Sequence, residues 1–346
     1  MVTFESDYTT GCLPEILEAF ERTNKIPASG YGADPFTESA AEKIRRAAEA
    51  PDADVVFLAG GTQTNAIVID ALLKDWEGAV CATTGHIHAH EAGAVELAGR
   101  KILALPAGET PETKGKLAAA DVERLCALFY ADANHEHMVF PGLVYISHPT
   151  EYGTLYTKAE LEALRAVCDR YGMRLFLDGA RLAYGLAARG TDVTLPDIAR
   201  LTDVFYFGGT KAGLLLGEAV VFRKGMMPPH FVNFIKKRGA LLAKGRALGV
   251  PFDALFTGGL YEKAGRHAID MAEELKVILR EKGIPFFLET PTNQQFAILE
   301  NARMAELAKT VGFGFWETYD DTRTVVRFAT SWSTTEEDLA VLREAL

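Results

Sequence analysis

The chain has 346 residues, 48% of them hydrophobic and 24% charged, a composition typical of a globular protein large enough for two domains. No apolar run approaches the roughly 20 residues that span a bilayer, and the N-terminus lacks a long apolar segment, so we expect neither membrane association nor a signal peptide. A formal net charge of −11 argues against a nucleic-acid partner, and four scattered cysteines without a CxxC pair are typical of reduced thiols in the cytoplasm.

Short β-like runs alternate with segments of helical length between about residues 54 and 223. The β-like runs are DVVFLA (54–59), AVCAT (79–83), KILALP (101–106), LVYIS (143–147), RLFLD (174–178), DVFYF (203–207) and EAVVFR (218–223). This alternation predicts an α/β fold, with a mainly parallel sheet and helices on both faces.

The pattern changes beyond about residue 250. An amphipathic helix is predicted over about 262–282, followed by the strand runs PFFLE and QQFAILE, a helix, the strand run TRTVVRFAT and a closing helix. This order predicts a smaller α+β domain. We therefore divide the chain into an N-terminal segment (1–30) without a strand run that packs with the small domain, a large domain (31–249) and the small domain itself (250–346).

In sheets of this kind ligands bind at the carboxyl ends of the strands, so the residues directly after each strand run are the first candidates for a site. After VVFLA comes GGTQTN (60–65), where two glycines let the backbone approach a ligand and a helix begins at once. Because a helix N-terminus attracts anions, Gly61 and Thr62 are candidates for phosphate binding. The alternative is an ordinary capped helix after a turn.

A carboxylate and a cation follow the next candidate strand. Asp178 ends the run RLFLD, and Arg181 is predicted one turn into the following helix. A carboxylate in this position can hold a proton on a pyridine-type nitrogen. The alternative is an N-cap aspartate, which is common at such junctions.

Lys211 follows the run VFYF in the turn GGTKAG (208–213). In a partly desolvated pocket a lysine has a lowered pKa, and its amine becomes a nucleophile able to form an imine with a carbonyl. The alternative is a solvated lysine on a surface loop, where most lysines lie.

Three histidines alternate after the run VCATT, at positions 86, 88 and 90, and Glu91 follows them. In a strand, the three imidazoles would share one face, as a metal site needs, and HEH at 135–137 would add ligands. The alternative is a strand-to-helix turn in which one histidine stacks on a planar cofactor. Because no HExxH pattern is present, we predict that no metal is bound.

The four strand-end signals reinforce one another by position. An anion site, a stacking ring, a carboxylate for a ring nitrogen and an imine-forming lysine occur in that order along the chain. Pyridoxal 5′-phosphate requires this set of groups, and its protonated ring accepts electrons from a carbanion. The sequence therefore predicts a pyridoxal-phosphate enzyme.

The motifs ESD, YGADP, GGTQTN, HEAGA, PTEYGT, LDGAR and GGTKAG, in this order and spacing, resemble those of low-specificity L-threonine aldolases over nearly the whole chain. The resemblance implies the pyridoxal-phosphate-dependent transferase-like fold (fold type I), shared with aspartate aminotransferase. It implies retro-aldol cleavage of L-threonine, L-allo-threonine and related β-hydroxy-α-amino acids to glycine and an aldehyde. It also implies a homodimer or homotetramer whose subunits share active sites.

The resemblance implies that one group of residues holds the cofactor. These are Gly61, Thr62 and Thr210 at the phosphate, His86 against the ring, Asp178 at the ring nitrogen, Arg181 at the phenolic oxygen, Lys211 as the imine-forming amine, and Lys244 of the partner subunit at the phosphate. Arg238 and Arg246 are alternatives to Lys244, and Glu91 supports the region around His86.

A second group is implied to contact the substrate. Ser6 and Arg327 hold the α-carboxylate, since a guanidinium suits a bidentate contact, while Tyr31 and Asp34 line the site toward a neighbouring subunit. The alternative for Arg327 is a strand arginine paired with a structural acid.

The base that removes the β-hydroxyl proton is left open among His86, His90 and a water held by a histidine and Glu151. A neutral imidazole near pH 7 is the natural acceptor. His148 and Glu151 depart from the family's pattern, and His88 is a further neighbour of the substrate hydroxyl.

Three other functions remain as alternatives. A β-eliminating lyase such as tryptophanase or tyrosine phenol-lyase shares the fold and the lysine–aspartate pair but releases pyruvate and ammonia. A metal-dependent hydrolase would use the histidine cluster. A binding protein without turnover is disfavoured by the intact set of Asp178, Lys211 and Arg327.

Overall fold

The computed structural model describes residues 2–346. Its strands are β1 (Val2–Phe4), β2 (Asp54–Leu58), β3 (Glu77–Ala82), β4 (Lys101–Leu105), β5 (Phe140–Ser147), β6 (Arg174–Asp178), β7 (Val204–Gly208), β8 (Glu218–Phe222), β9 (Phe286–Leu288), β10 (Gln294–Glu300), β11 (Val311–Thr318) and β12 (Arg323–Ala329).

The helices connect and cover these strands. They are α1 (Pro14–Thr23), α2 (Pro35–Ala47), α3 (Gly61–Leu72), α4 (His86–Ala89), α5 (Ala94–Leu97), α6 (Ala119–Ala131), α7 (Lys158–Tyr171), α8 (Leu182–Ala187), α9 (Leu195–Leu201), α10 (Phe231–Lys237), α11 (Arg246–Leu255), α12 (Leu260–Glu281), α13 (Asn301–Leu307) and α14 (Glu336–Ala345). Within residues 2–346, no helix is both long enough and apolar enough to cross a bilayer.

The larger sheet has seven strands in the order β2-β8-β7-β6-β5-β3-β4, and β8 alone runs against its neighbours. Its central strand β6 is buried on both faces, because Leu175 and Leu177 pack into one apolar cluster while Phe176 packs into the other, whereas the edge strands β2 and β4 are half-buried. The predicted α/β fold with a mainly parallel sheet is confirmed.

The smaller sheet has five strands in the order β1-β11-β12-β10-β9. Helices α12 and α14 pack on it through a core that includes Leu275 and Leu342. Two of its strands were not predicted: β1 is only three residues long, and Gly312 and Gly314 interrupt the strand-favouring residues of β11.

Residues 2–30 contact both sheets. Strand β1 pairs with β11 of the small sheet, whereas the Leu13 N–H donates to the Gly213 carbonyl and Ile16 packs in the core of the large sheet. The segment between them therefore crosses the junction at which the two sheets meet.

Candidate active site

A cavity of about 580 Å³ opens where the carboxyl ends of the parallel strands face the small sheet. Loops after β2, β3, β5, β6 and β7 form most of its wall, and β11 and β12 form the remainder. The predicted site residues that line it are Gly61, Thr62, His86, His90, Glu151, Asp178, Arg181, Thr210, Lys211 and Arg327.

Four predicted site residues, Ser6, Tyr31, Asp34 and Lys244, do not line this cavity within one chain. Ser6 is buried, and its hydroxyl has no hydrogen-bond partner. Tyr31 and Lys244 are exposed on one surface, where the Tyr31 N–H donates to the Ala243 carbonyl. The predicted roles of Tyr31 and Lys244 therefore depend on a partner subunit. Asp34 caps α2 by accepting from the Thr37 N–H at 2.9 Å.

The N-terminus of α3 faces the cavity. Gly60, Gly61 and Thr62 line it, and the first turn of this 12-residue helix contains no acidic residue. A Cβ added to Gly60 would meet no atom within 4 Å, so the space in front of the turn is open. The turn itself therefore places no carboxylate against its own backbone N–H groups, which suits an anion.

Glycines bring the Lys211 loop against the loop that follows β6. A Cβ on Gly208 would lie 2.1 Å from the Ala180 carbonyl oxygen, so a side chain there would push the two loops apart. This close approach places Lys211 and Asp178 on the same cavity wall.

The Lys211 amine lies in a desolvated environment that contains charges of both signs. Burial lowers the pKa of the amine, and the positive charge of Arg181 lowers it further, although Asp7 and Asp178 act in the opposite direction. The amine lies 5.8 Å from the centre of the Tyr8 ring. A surface lysine would not be desolvated in this way, so burial favours the nucleophilic amine.

Four donors hold the Asp178 carboxylate. They are Asn65 Nδ2 at 3.0 Å, the Tyr145 hydroxyl at 2.5 Å, the Ala180 N–H at 2.9 Å and the Tyr206 hydroxyl. Burial alone would raise the pKa of Asp178, but the neighbouring His86 and the donors outweigh burial and lower it. The carboxylate is therefore ionised at neutral pH inside a buried site.

Arg181 occupies the N-cap position of α8, and the prediction that it lies one turn into the helix is wrong. The Asp178 carboxylate accepts the Ala180 N–H and keeps residues 179–181 in a turn. The Arg181 guanidinium binds Asp7 through two contacts of 2.7 and 3.0 Å. Although burial raises the pKa of Asp7, Arg181 overcomes that effect and the pKa falls to about 2.

Hydrogen bonds connect Asp178 to the residues around His86. Asn65 Nδ2, which donates to Asp178, also donates to Glu91 Oε1 at 2.8 Å, and the same oxygen contacts His86 Nδ1 at 2.8 Å. The His86 N–H then donates to Glu151 Oε1 at 2.9 Å. Because an ionised carboxylate only accepts, His86 Nδ1 carries a proton and the ring orientation is fixed.

The histidine segment is helical at His86–Ala89, not a strand, so the three imidazoles do not share one face. The ring centres of His86 and His90 lie 5.6 Å apart, and His88 and His90 are both exposed in one chain. Across residues 2–346, no three or more His, Cys, Asp or Glu side chains are grouped so as to hold a metal ion.

The pKa values of His86 and His90 shift in opposite directions. Burial lowers the pKa of His90, and the charges of His86 and Arg327 lower it further. For His86, burial also acts downward, but the hydrogen bond to Glu91 and the charge of Asp178 raise the pKa overall. His90 is therefore the neutral imidazole at pH 7.

Arg327 presents a guanidinium without an acidic partner. It donates to the Gln294 side-chain oxygen at 3.0 Å and to the Glu5 carbonyl at 2.9 Å, and its Nε has no partner. The guanidinium lies 5.6 Å from the centre of the Trp316 ring. Its contacts are thus with neutral acceptors, and the alternative of an arginine paired with a structural acid does not describe it.

Several side chains that line or support the cavity were missed by the sequence analysis: Tyr8, Asn65, Tyr145, Glu218 and Trp316. Asn65 ends the GGTQTN motif, and Glu218 opens the apolar run EAVVF. An acid at the head of a buried strand was a usable signal, because such a group is rarely buried without a reason.

Comparisons with known proteins identify the family. The family described as beta-eliminating lyase matches residues 3–302. The low specificity L-threonine aldolase of Pseudomonas sp. (strain NCIMB 10558) is 31% identical over 337 residues, covering 96% of this chain and 93% of that protein. The structure of Leishmania major threonine aldolase is 43% identical, with a TM-score of 0.94 over 99% of this chain and 98% of that chain.

A more distant structure shows the fold alone. An aspartate aminotransferase mutant from Thermus thermophilus is 17% identical, with a TM-score of 0.71, and the match covers 100% of this chain and 90% of that chain. The predicted fold type I architecture is confirmed.

Proposed function

Since this chain belongs to the beta-eliminating lyase family and lies among its low specificity L-threonine aldolases, we propose that it cleaves L-threonine, L-allo-threonine and related β-hydroxy-α-amino acids to glycine and an aldehyde. The observation that carries the proposal is that one cavity combines three groups. They are the desolvated Lys211 amine, the ionised Asp178 carboxylate and the Arg327 guanidinium, which has no acidic partner.

The cavity residues fit pyridoxal 5′-phosphate. The first turn of α3 offers N–H donors without an acidic competitor, Lys211 supplies an amine, and Asp178 supplies a buried anion. His86 is the candidate for the ring face and Arg181 for the phenolic oxygen. When bound, the cofactor supplies an aldehyde that condenses with amines and a ring that accepts the electrons of a cleaved bond.

Arg327 orients the substrate in this proposal. Its guanidinium binds the α-carboxylate, because it carries a charge that the protein leaves without an acidic partner. Fixing the carboxylate restricts the orientations that the Cα–Cβ bond can adopt. This lowers the entropic part of the activation free energy.

We assign the acceptor of the β-hydroxyl proton to His90. Its imidazole lines the cavity and is neutral at pH 7, whereas the His86 Nδ1–H is held by Glu91 and the pKa of His86 is raised. Burial raises the pKa of Glu151, whose Oε1 already accepts from the Ser147 hydroxyl and the His86 N–H. Glu151 therefore positions the His86 segment and is a weaker candidate for the base.

The β-eliminating alternative is not favoured. It would use the same lysine and aspartate, but the relatives that match over nearly their whole length are threonine aldolases. The two reactions break different bonds. The aldolase reaction breaks the Cα–Cβ bond, whereas β-elimination breaks the bond between Cβ and its leaving group.

Arg327→Ala tests the substrate role. We expect the KM for L-threonine to rise by roughly 10- to 100-fold, because charge-assisted hydrogen bonds to the carboxylate are lost. Cofactor content, measured by absorbance, should stay at the wild-type value. Arg323→Ala is the matched control, since Arg323 lies on the same strand but binds Asp320 at the surface. Equal losses of cofactor and of substrate affinity in Arg327→Ala would contradict the assignment.

We further propose a cytoplasmic homo-oligomer, a dimer or tetramer, with sites shared between subunits. Tyr8 and Leu216 line the cavity, yet 56% and 38% of their surfaces remain exposed in one chain, which supports a second copy covering the cavity mouth. All four cysteines are free thiols, which supports a reducing compartment.

A further inference from the structure

Glu218 is a buried acid that the proposed reaction does not use. It lines the cavity with only 4% of its surface exposed. Its Oε1 accepts the Thr210 hydroxyl at 3.0 Å, while Oε2 is buried and has no hydrogen-bond partner. An unpartnered polar atom in a buried side chain calls for a ligand, a proton or both.

The strand order β2-β8-β7 places Glu218 between the loop that follows β2 and the loop that follows β7. It pairs with Leu58, two residues before Gly60, and with Gly208, three residues before Lys211. Glu218 therefore stands beside the N-terminus of α3, the proposed phosphate site. An ionised carboxylate at that place would repel a phosphate, whereas a protonated carboxyl would donate to it.

Resting on the proposed function, we infer that Glu218 is a phosphate-binding residue that acts as a neutral carboxylic acid and donates the Oε2 hydrogen to a phosphate oxygen of the cofactor. This role was predicted for Thr210, but its hydroxyl hydrogen is donated to Glu218 and its oxygen accepts the Gly217 N–H at 3.1 Å. Thr210 thus holds Oε1 of Glu218 and leaves Oε2 as the carboxyl oxygen without a protein partner.

The electrostatic surroundings keep the proton on Glu218 at neutral pH. Burial raises its pKa to about 8, although Lys211 acts in the opposite direction and Asp178 adds to the increase. The other titratable groups near it are the hydroxyls of Tyr206 and Tyr261, which are neutral at this pH because burial raises their pKa values. A bound phosphate dianion raises the pKa of Glu218 further.

The proton on Glu218 makes phosphate affinity depend on pH. Below about pH 8 Glu218 carries its proton and donates; above it, the donor is lost and the new anion repels the phosphate. Phosphate affinity should therefore fall as the pH rises, by about tenfold between pH 7 and pH 9 for a single group of this pKa.

The test measures the dissociation constant of pyridoxine 5′-phosphate, which has no aldehyde and forms no imine with Lys211, on the full-length chain freed of cofactor. The wild type should lose about tenfold affinity between pH 7 and pH 9. Glu218→Gln keeps a hydrogen donor at every pH, so its affinity should match the wild type at pH 7 and vary by less than about twofold. Glu160→Gln, which removes a carboxylate bonded to Lys116, is the matched control and should follow the wild type.

Two outcomes would overturn the inference. Tighter binding by Glu218→Gln at pH 7 would mean that Glu218 is ionised there and repels the ligand. An unchanged pH dependence in Glu218→Gln would mean that another group causes it. Should that variant not fold, the wild type decides, because pyridoxine without the phosphate must lose less affinity between pH 7 and pH 9 than pyridoxine 5′-phosphate does. A wild type that binds no pyridoxine 5′-phosphate would instead refute the proposed function.

Discussion

Lys211→Ala should lower the rate of glycine formation by at least about 10³-fold. The substitution removes the one amine that lines the cavity beside Asp178 among residues 2–346. The purified wild type should absorb visible light and lose that band on borohydride reduction, with the added mass on the peptide that contains Lys211. In Lys211→Ala neither the band nor the added mass should form.

The lowered pKa of Lys211 explains why this lysine reacts and others do not. Burial and the charge of Arg181 favour the neutral amine, so the nucleophile is present at a lower pH than in a surface lysine. Lys224→Ala is a suitable control, because Lys224 is exposed and pairs with Asp52 outside the cavity. If the borohydride adduct maps to another lysine, or if Lys211→Ala turns over threonine normally, Lys211 is not the imine-forming residue.

Asp178→Asn should lower kcat/KM by roughly 10²- to 10⁴-fold, in line with the 3–5 kcal/mol that breaking a buried charge pair costs. The substitution keeps the shape of the side chain but removes the anion that would pair with the protonated ring nitrogen. Measured with L-threonine at saturating cofactor, the loss should fall mainly on kcat, since Asp178 is not assigned a contact with the substrate carboxylate.

Two measurements distinguish the loss of the Asp178 charge from a loss of structure in Asp178→Asn. Asp178→Glu retains the charge and moves it by one methylene, so its activity should lie between the wild type and Asp178→Asn. The circular dichroism spectra of both variants should match the wild type. If Asp178→Asn kept full activity, Asp178 would be no more than the acceptor for Asn65, Tyr145 and Ala180.

The strand-end motifs were predictable because each follows a strand of the larger sheet, and two of these strands, β6 and β7, are buried on both faces. The runs before GGTQTN, LDGAR and GGTKAG are rich in β-branched, leucine and aromatic residues, and parallel strands bring their carboxyl ends to one edge. Lys211, Asp178 and Gly61 could therefore be placed in one site from local patterns. The predictions for single residues within helices were weaker, as the N-cap position of Arg181 shows.

The supporting residues could not be found from local patterns, because their partners are distant in sequence. Asn65 bridges Glu91 and Asp178, which lie 26 and 113 residues away. Glu218 acquires its position only from the strand order β2-β8-β7, which the linear sequence does not display. Strand β11 was missed for a different reason, because Gly312 and Gly314 interrupt its run of valine and aromatic residues.

The most direct test of the proposed reaction is the identity of the products formed from L-threonine by the purified protein loaded with pyridoxal 5′-phosphate. Cleavage of Cα–Cβ gives glycine and acetaldehyde in equal amounts, and this is the result that we expect, with L-allo-threonine also accepted. β-Elimination of the same substrate would give 2-oxobutanoate and ammonia. Finding those products without glycine would contradict the aldolase function, even if Lys211 carried the cofactor.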